Sequence, residues 1–402
     1  MESRRPDGVL AGLRVVEVSA FVAVPLGGMT LAQLGAEVIR IDPVGGGLDI
    51  GRWPITGDGA SLYWAGLNKG KRSVTIDIGA DRGRDLVRRL IIAPGDDAGI
   101  LITNLAPRWL GYEQLREERP DLIMVILRGN PDASIAVDYT VNSAAGFPMI
   151  TGDGTDPINH VLPAWDVNAG TQVALAVVAA VLHRRATGEG QLVELSLADV
   201  AFSTLGHLGF IAEAVVNNED RQAYGNYIFG SYGRDFETGD GRRVMVTALT
   251  ARQWDSLVEA TGTAELMADL ETDAGLDLTD EGARFDARDR ISGILEPWFS
   301  ARSLAQVREA LDAHRVCWGA YQSVRQAVET DPRIGANPLF EEIEQPGVGR
   351  YPAPGPATVF HAFGRPPVRP APRLGADTES ALTNHLGLGA DDIAALRNER
   401  VI

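Results

Sequence analysis

The N-terminal part of the chain alternates short apolar runs, rich in β-branched residues, with segments of helical periodicity. Residues 13–19 (LRVVEVS) and 36–42 (AEVIRID) are typical of buried strands, and residues 25–35 between them are typical of a helix. Further strand-like runs lie at 73–78, 99–104 and 122–129. A strand, a helix and another strand in succession form a βαβ unit, so this pattern predicts an α/β fold built on a parallel sheet.

The middle of the chain changes this pattern twice. Residues 166–185 are apolar on nearly every side and a second apolar helix follows soon after, so we expect both helices to be buried. From about Ala223 the sequence becomes rich in aromatic residues and glycine, which predicts a second, smaller α+β domain. Nine prolines between Asn337 and Pro372 predict an extended surface segment that leads to a short terminal helix at 390–397.

These changes predict three segments along the chain. Residues 1–222 form the first part of a large α/β domain, residues 223–330 form the small domain, and residues 331–402 cross over and return to the large domain. A length of 402 residues is enough for two or three domains at roughly 150 residues each.

Composition and charge narrow the class of protein. Apolar residues make up 45% of the chain and charged residues 23%, which is typical of a folded globular protein. The net charge of −17 opposes nucleic-acid binding, and the longest apolar run, 169–182, is shorter than the ~20 residues of a membrane-spanning helix. Cys317 is the single cysteine, so no intramolecular disulfide forms, and we expect a cytoplasmic protein without nucleic-acid or membrane partners.

Familiar nucleotide-binding motifs are absent from the sequence. The turn after the first predicted strand reads SAFVAVPLGG and lacks the G-x-G-x-x-G of dinucleotide sites. Residues 66–73 (GLNKGKRS) are one residue too short for a P-loop and carry Arg72 where Ser or Thr is required. Lys69, Lys71 and Arg72 remain either a grip for the phosphates of a small ligand or a solvated basic turn.

Metal, thiol and hydrolase motifs are also absent. The six histidines show no metal-ligand spacing, the single Cys317 is a weak candidate for thiol catalysis, and no serine lies in G-x-S-x-G. Asp166 is the carboxylate of interest because it directly precedes the apolar helix. By position it is a helix N-cap, but a rigidly held carboxylate at a helix start also suits a nucleophile, and spacing does not choose between the two.

Several stretches, in order along almost the whole chain, resemble the class III CoA-transferase family. They are LAGLRVVEVS, LAQLGAEVIRID, NKGKRSVTIDI, LITNLAP, LPAWDVNAG with HRRATGEGQLVELSLADV, and PAPRLGADTESALTNHLGL. The resemblance implies a Rossmann-like large domain, a smaller second domain, and a homodimer in which two ring-shaped chains are interlinked.

The resemblance also implies a reaction. Asp166 matches the family's nucleophilic aspartate, which forms an acyl anhydride and then an aspartyl-CoA thioester, with no metal and no cofactor beyond the CoA of the substrate. The segments SAFVAVPLGGMTLAQLGAEVIRIDPVGGGLD, VDYTVN and GNYIFGSYGRDFET are most similar to members that move CoA between the two carboxyl groups of mesaconate. The expected partner is therefore an acyl-CoA or dicarboxylate.

Residues that contact CoA in relatives are carried over by position. They correspond to Val22, Ala23, Ile76, Asp77, Asn104, Leu105 and Arg108. An arginine that several relatives have after the second strand is Pro43 here, so phosphate recognition shifts to Arg40, Lys71 or Arg72. For the free carboxylate of the substrate, His160 and Arg234 are our hypotheses.

Three alternative functions stay open to different degrees. A racemase of this family needs a histidine and an aspartate as an acid–base pair, but the histidine position is Val137, next to Asp138. An intermolecular CoA-transferase that uses another dicarboxylate, such as succinate, is the nearer alternative, because spacing does not rank the pocket residues. A CoA-binding protein without catalysis is the third, and it predicts no loss of function on Asp166→Asn.

Overall fold

The computed structural model describes residues 8–105 and 107–402, and its described chain divides into two compact units. The first unit contains the described residues up to Ala145, together with His160–Val216 and Ala336–Ile402, and the second contains Gly146–Asn159 and Asn217–Gly335. The main sheet of the first unit has six strands: β1 (Arg14–Val18), β2 (Glu37–Asp42), β3 (Arg72–Thr75), β4 (Ile100–Thr103), β5 (Ile123–Arg128) and β6 (Gln191–Ser196).

The order of these strands is β3-β2-β1-β4-β5-β6, and every neighbouring pair is parallel. This confirms the α/β class. The chain winds outward in one direction from β1 and in the other from β4, so these two strands flank the topological switch point of the sheet. Ligands of open α/β sheets bind in the crevice beyond the carboxyl ends of the strands at such a point.

The helices of both units follow the chain in one series. They are α1 (Ala23–Gln33), α2 (Leu62–Leu67), α3 (Asp81–Ile92), α4 (Tyr112–Glu118), α5 (Asp138–Ala144), α6 (Phe147–Ile150), α7 (Ala164–Thr187), α8 (Leu197–His207), α9 (Phe210–Ala212), α10 (Ala251–Thr261), α11 (Ala264–Ala274), α12 (Glu281–Asp286), α13 (Arg288–Ser300), α14 (Leu304–Ala313), α15 (Val324–Thr330), α16 (Pro332–Gly335), α17 (Thr378–Leu386) and α18 (Ala390–Asn398). A 3₁₀ turn lies at Arg108–Leu110 and a π-helical turn at Glu213–Asn217.

Helices α1 and α7 pack closely at two glycines. A Cβ on Gly170 of α7 would lie 2.5 Å from the Ala23 carbonyl oxygen, and one on Gly27 of α1 would lie 2.9 Å from the Gly170 carbonyl oxygen. No residue with a side chain fits at either position without moving the backbone. The close contact brings the first turns of α1 and α7 together.

The expectation that α7 and the next helix are wholly buried holds for one face only. Val173 and Val177 of α7 are fully buried, but Leu175 and Leu182 are 65% and 62% exposed, and Phe202 and Leu208 are also exposed. By length and apolar composition α7 is long enough to cross a membrane, and so are α8 and α9 if their bent pair is counted as one span. A single chain leaves the outer face of these helices uncovered.

The C-terminal segment completes the first unit. Pro-rich residues that we expected to be extended contain an antiparallel hairpin, β10 (Phe340–Gln345) and β11 (Gly349–Pro354). Prolines are tolerated there because a two-stranded sheet has only edges. Helix α17, which the sequence did not predict, covers the edge of the main sheet: the Asp377 carboxylate and the Thr378 hydroxyl accept the backbone N–H groups of Ser73 and Thr75.

The second unit is built on a three-stranded antiparallel sheet. Its strands are β7 (Tyr232–Glu237), β8 (Arg243–Ala248) and β9 (Cys317–Ala320), in that order, and α10, α11, α13 and α14 supply the rest of its core. Phe236 and Phe299 stack at 4.3 Å in this core. The helices and antiparallel sheet give this unit an α+β architecture.

Candidate active site

Asp166 lies in the first turn of α7, but it does not cap the helix. The N-cap residue is Pro163, whose side chain accepts no hydrogen bond, and Asp166 is the third helical residue. The capping carboxylate belongs to Asp138 at the start of α5, which accepts the backbone N–H groups of Trp165 at 2.8 Å and Asp166 at 3.0 Å. The cap interpretation of Asp166 is therefore wrong, because another carboxylate satisfies these helix donors.

Helix α5 holds the start of α7 through further contacts. Asp138 is only 2% exposed, and its second oxygen lies 3.4 Å from Nε2 of His160. Asn142, one turn further along α5, accepts the indole N–H of Trp165 at 3.1 Å. These contacts fix the backbone on both sides of Asp166. They position its carboxylate without forming hydrogen bonds to it.

The Asp166 carboxylate makes no hydrogen bond or ion pair with any residue in the described ranges, although it is half-buried. The pKa of this carboxyl is raised from 3.8 to about 6, chiefly by burial and secondly by the charge of Asp138, while Arg52 acts in the opposite direction. At neutral pH the group is ionised and more basic than an ordinary aspartate. It has the properties required of a nucleophilic carboxylate.

Arg52 and Tyr63 complete the surroundings of Asp166. The Arg52 guanidinium carbon lies 5.0 Å from the centre of the Phe21 ring and 4.9 Å from that of Tyr63. The Tyr63 hydroxyl is buried and has no hydrogen-bond partner among the described residues. Burial raises the pKa of Tyr63, and the Asp166 charge also raises it, so this hydroxyl stays protonated and remains a donor.

A second group of charges lies buried behind this site. We call it the Arg40 cluster, and it consists of Glu17, Arg40, Asp42, Asp49 and Lys71. Arg40 binds both oxygens of Asp42 at 3.0 and 3.1 Å and reaches Asp49 at 2.9 Å. Lys71 donates to Glu17 at 2.8 Å, and burial lowers the pKa of Lys71 to about 8 although Glu17 opposes this shift.

The Arg40 cluster fixes the turn that follows β1. The other Asp49 oxygen accepts the Phe21 N–H at 3.0 Å, and Arg40 also donates to the Ser19 carbonyl. From the other side, Asn104 pairs with the Ala20 backbone by accepting its N–H at 3.0 Å and donating to its carbonyl at 2.7 Å. The turn at the switch point is thus held by one side chain within β2, one that follows β2 and one that follows β4.

The residues carried over as CoA contacts fall into two groups. Val22, Ala23, Asn104, Leu105 and Arg108 all follow the carboxyl ends of β1 and β4, and the exposed Arg108 guanidinium has no ion pair with any residue the structure describes. Ile76 is fully buried and Asp77 is half-buried after β3. Their contact with CoA remains a prediction.

Three cations proposed for phosphate recognition have other partners. Arg40 and Lys71 are saturated in the Arg40 cluster, as described above. Arg72 begins β3, at the opposite end of the sheet from the switch point, where it pairs with Glu37 at 2.7 Å and lies 3.8 Å from Asp377. These placements give no support to a phosphate role for any of the three. Arg108 is the cation of the carried-over set that is both exposed and unpaired in the described ranges.

The two hypotheses for the free carboxylate also have partners. His160 contacts Asp138, as described above. Arg234 lies in the second unit, where it donates to the Tyr227 hydroxyl and to Glu296, both at 3.2 Å. Sequence reasoning missed Arg52 and Tyr63, because neither belongs to a motif with a known spacing. Across residues 8–105 and 107–402, no group of three or more His, Cys, Asp or Glu side chains is arranged to hold a metal ion.

Comparison with known proteins gives a consistent result. Residues 10–378 match the family model described as CoA-transferase family III. The chain is 54% identical to the 2-methylfumaryl-CoA isomerase of Chloroflexus aurantiacus over 400 residues, which is 98% of each chain. It is 28% identical to the succinyl-CoA:mesaconate CoA-transferase of Haloarcula hispanica, over 85% of this chain and 87% of that one.

Solved structures agree on the fold. A CaiB/BaiF family protein from Brucella suis superposes with a TM-score of 0.77 at 24% identity, covering 94% of this chain and 99% of that one. A protein from Mycobacterium tuberculosis gives a TM-score of 0.74 at 24% identity, covering 93% and 99%.

Proposed function

This chain belongs to CoA-transferase family III, and we propose that it is a 2-methylfumaryl-CoA isomerase, which moves CoA between the two carboxyl groups of 2-methylfumarate (mesaconate). The observation that carries the proposal is the 54% identity, over 98% of both chains, to a relative of that name. The unpartnered Asp166 carboxylate supplies the chemistry that such a transfer requires.

In the first half of the reaction, Asp166 acts as the nucleophile. One carboxylate oxygen attacks the thioester carbonyl carbon, the carbon–sulfur bond breaks, and CoA leaves as a thiolate. The product is a mixed anhydride between Asp166 and the acyl group. The thiolate then attacks the Asp166 carbonyl carbon, which forms an aspartyl-CoA thioester and releases mesaconate as a dianion.

In the second half, mesaconate turns and the same steps run in reverse. Its other carboxylate attacks the aspartyl thioester, CoA leaves again, and the thiolate attacks the acyl carbon of the new anhydride. Asp166 is regenerated as a carboxylate and no proton is consumed. Covalent catalysis is useful here because the anhydride keeps the acyl group activated while the two ends of the substrate exchange places.

The neighbours of Asp166 suit this role. Asp138 takes up the helix N–H groups, so both Asp166 oxygens remain available for reaction. The pKa of about 6 keeps Asp166 ionised at neutral pH while making it a stronger nucleophile than an ordinary aspartate. We propose that CoA lies over the switch point against Val22, Ala23 and Asn104 and that Arg108 binds one of its phosphates. No cofactor beyond the CoA of the substrate is required.

An intermolecular CoA-transferase is the second candidate. Its support is that the chain is also 27% and 28% identical to two relatives that are named as CoA-transferases using succinyl-CoA. A racemase has less support, because Val137 stands at the histidine position and the adjacent Asp138 is occupied by two backbone N–H groups. If the chain were a CoA-binding protein without catalysis, the Asp166 carboxylate, which has no polar partner in the described ranges, would have no explanation.

We also propose that the enzyme is a cytoplasmic homodimer. The exposed leucines of α7 and the exposed Phe202 and Leu208 form an apolar surface that a second copy would cover. Sedimentation at decreasing concentration tests this proposal, and an active, folded monomer contradicts it.

The test of function is incubation with the C1 thioester of mesaconate, with and without excess isotopically labelled free mesaconate or succinate, followed by chromatography of the thioesters. Formation of the C4 thioester without label supports the isomerase. Label in the product supports the intermolecular transferase, and absence of turnover supports the binding protein.

A further inference from the structure

The side chain of Arg52 is a cation without an acidic partner. Its guanidinium makes no hydrogen bond or ion pair with any residue in the described ranges, and it lies over the Phe21 and Tyr63 rings. The acid closest in sequence, Asp49, already binds Arg40 and the Phe21 N–H with its two oxygens. The five N–H donors of Arg52 are therefore available to a ligand.

The Tyr63 hydroxyl is a second unused donor in the same place. It belongs to α2, which begins at the Ser61 cap, and it is buried without a partner among the described residues. A buried hydroxyl normally has a hydrogen-bond partner, because leaving one unsatisfied is unfavourable. The ring of this tyrosine supports the guanidinium of Arg52, so both unused donors belong to one structural unit.

Both groups lie near the reacting carboxylate. The Phe21 ring, 5.0 Å from the Arg52 guanidinium carbon, stands two residues before Ala23. The Ala23 carbonyl packs against Gly170, one helical turn after Asp166. The influence of Arg52 on the pKa of Asp166, and of Asp166 on that of Tyr63, agrees with this placement. A ligand that reaches them is consequently the acyl part of the substrate, because the CoA phosphates are separated from the thioester by the whole pantetheine arm. The acyl part of the substrate carries one free carboxylate. An arginine fork is suited to bind a carboxylate through two parallel hydrogen bonds.

We propose that Arg52 and Tyr63 bind the carboxylate of the substrate that is not joined to CoA. This inference rests on the proposed function and deepens it. While CoA is attached to Asp166, mesaconate turns by exchanging its two carboxylates at this contact: the C4 carboxylate leaves Arg52 to attack the thioester, and the released C1 carboxylate takes its place. Arg52 and Tyr63 therefore determine both the preference for a dicarboxylate and the intramolecular course of the transfer.

The test compares the wild-type enzyme with Arg52→Gln, Arg52→Lys and Tyr63→Phe. Arg116→Gln is the matched control, because Arg116 also lies over an aromatic ring, that of Tyr112, but on the exposed surface of α4. Each protein converts the C1 thioester of mesaconate in the presence of labelled free mesaconate. The ratio of labelled to unlabelled C4 thioester measures how often mesaconate escapes between the two half-reactions.

Arg52→Gln should lower kcat/KM about a hundredfold and raise the labelled fraction at least tenfold, whereas Arg116→Gln should change neither. Arg52→Lys keeps the charge without the fork and should lie between them, so it also serves if the glutamine variant does not fold. Tyr63→Phe should show a smaller change in the same direction. The thioester of a monocarboxylic analogue should acylate wild type and Arg52→Gln equally.

Two results separate the possible failures. If the wild type isomerises the thioester and Arg52→Gln shows the same labelled fraction and the same KM, this inference is overturned and the isomerase remains. If the wild type does not isomerise it, the proposed function fails, and binding of free mesaconate measured by calorimetry still tests Arg52. That binding should weaken at least tenfold in Arg52→Gln, and equal binding overturns the inference.

Discussion

The Arg40 cluster and the surroundings of Asp166 are neighbouring polar regions of one unit, but they treat their charges in opposite ways. In the cluster, Arg40 and Lys71 are matched with carboxylates at 2.8–3.1 Å, and one oxygen, Oε2 of Glu17, lacks a partner among the described residues. Around Asp166, the carboxylate, the Arg52 guanidinium and the Tyr63 hydroxyl have no polar partner in the described ranges.

The difference distinguishes structural charges from charges that serve a ligand. A buried charge is unfavourable unless it is paired, so the pairs of the Arg40 cluster are needed for folding. Asp166 and Arg52 are only partly buried, and in the proposed reaction a substrate with an acyl carbon and a carboxylate supplies what these two groups and the buried Tyr63 hydroxyl lack. The contrast therefore identifies binding and catalytic residues without reference to their position in a motif.

The largest expected effect is on activity when the nucleophile is replaced. Asp166→Asn should lower kcat by at least about a thousandfold, because an amide forms neither the anhydride nor the thioester. The measurement is thioester isomerisation followed by chromatography. Asp81→Asn is the control, since Asp81 also lies in the first turn of a helix but is fully exposed. Near-normal activity of Asp166→Asn would contradict the view that the groups around Asp166, unlike the Arg40 cluster, serve the reaction.

The next effect is on stability when the Arg40 cluster is broken. Arg40→Gln should lower the free energy of unfolding by about 3–5 kcal/mol, because it leaves buried carboxylates without their cation. Arg72→Gln, which removes an exposed pair with Glu37, should lower it by less than about 1 kcal/mol. Urea denaturation measures both changes. Equal effects of the two substitutions contradict the structural role of the cluster.

The pH dependence of activity should follow the carboxyl of Asp166. Because the anion is the nucleophile, kcat/KM should fall about tenfold per pH unit below pH 6. Arg52→Gln removes a charge that lowers this pKa and should move the acidic limb to higher pH. Asp138→Asn removes a charge that raises the pKa and should move the limb to lower pH. If the acidic limb of the pH profile is the same in both variants as in the wild type, the group that titrates is not Asp166.

The smallest effect is a gain in stability at the active site. The folded-state pKa of Asp166 is raised from 3.8 to about 6, so ionisation of this carboxyl disfavours the folded state above pH 6 and has no effect below about pH 4. After allowance for partial solvent exposure, Asp166→Asn should stabilise the protein by about 1–2 kcal/mol at pH 8 and not at pH 4. Thermal unfolding at both pH values measures the difference.

The pattern of apolar runs was sufficient to predict β1 to β5 of the main sheet, because these strands are largely buried. Strand β1 differs from its predicted range by one residue at each end. The β10–β11 hairpin and α17 were missed: the many prolines hide the first, and the second is held by contacts with β3 that no local pattern shows. Tertiary contacts decided these elements.

The candidate site was predictable only where a resemblance supplied it. Its position before α7 made Asp166 a candidate, but the resemblance was needed to assign it the role of nucleophile, and the residues around the switch point followed from the same motifs. The partners of Arg40 and Lys71 could not be predicted, because Arg40 pairs with Asp49 from the loop after β2, and Lys71 pairs with Glu17, 54 residues before it. For the same reason, no local pattern predicts that Asp138, 28 residues before Asp166, takes the role of helix cap.

The central claim is that Asp166 becomes covalently attached to the substrate. The C1 thioester of mesaconate carrying two ¹⁸O atoms in its free carboxylate tests it most directly, with mass spectrometry of the proteolytic fragment that contains Asp166. In the proposed sequence a substrate oxygen becomes the bridging atom of the second anhydride and stays on Asp166, so the fragment should gain about 2 Da per ¹⁸O atom. Isomerisation without label in that fragment contradicts covalent catalysis by Asp166.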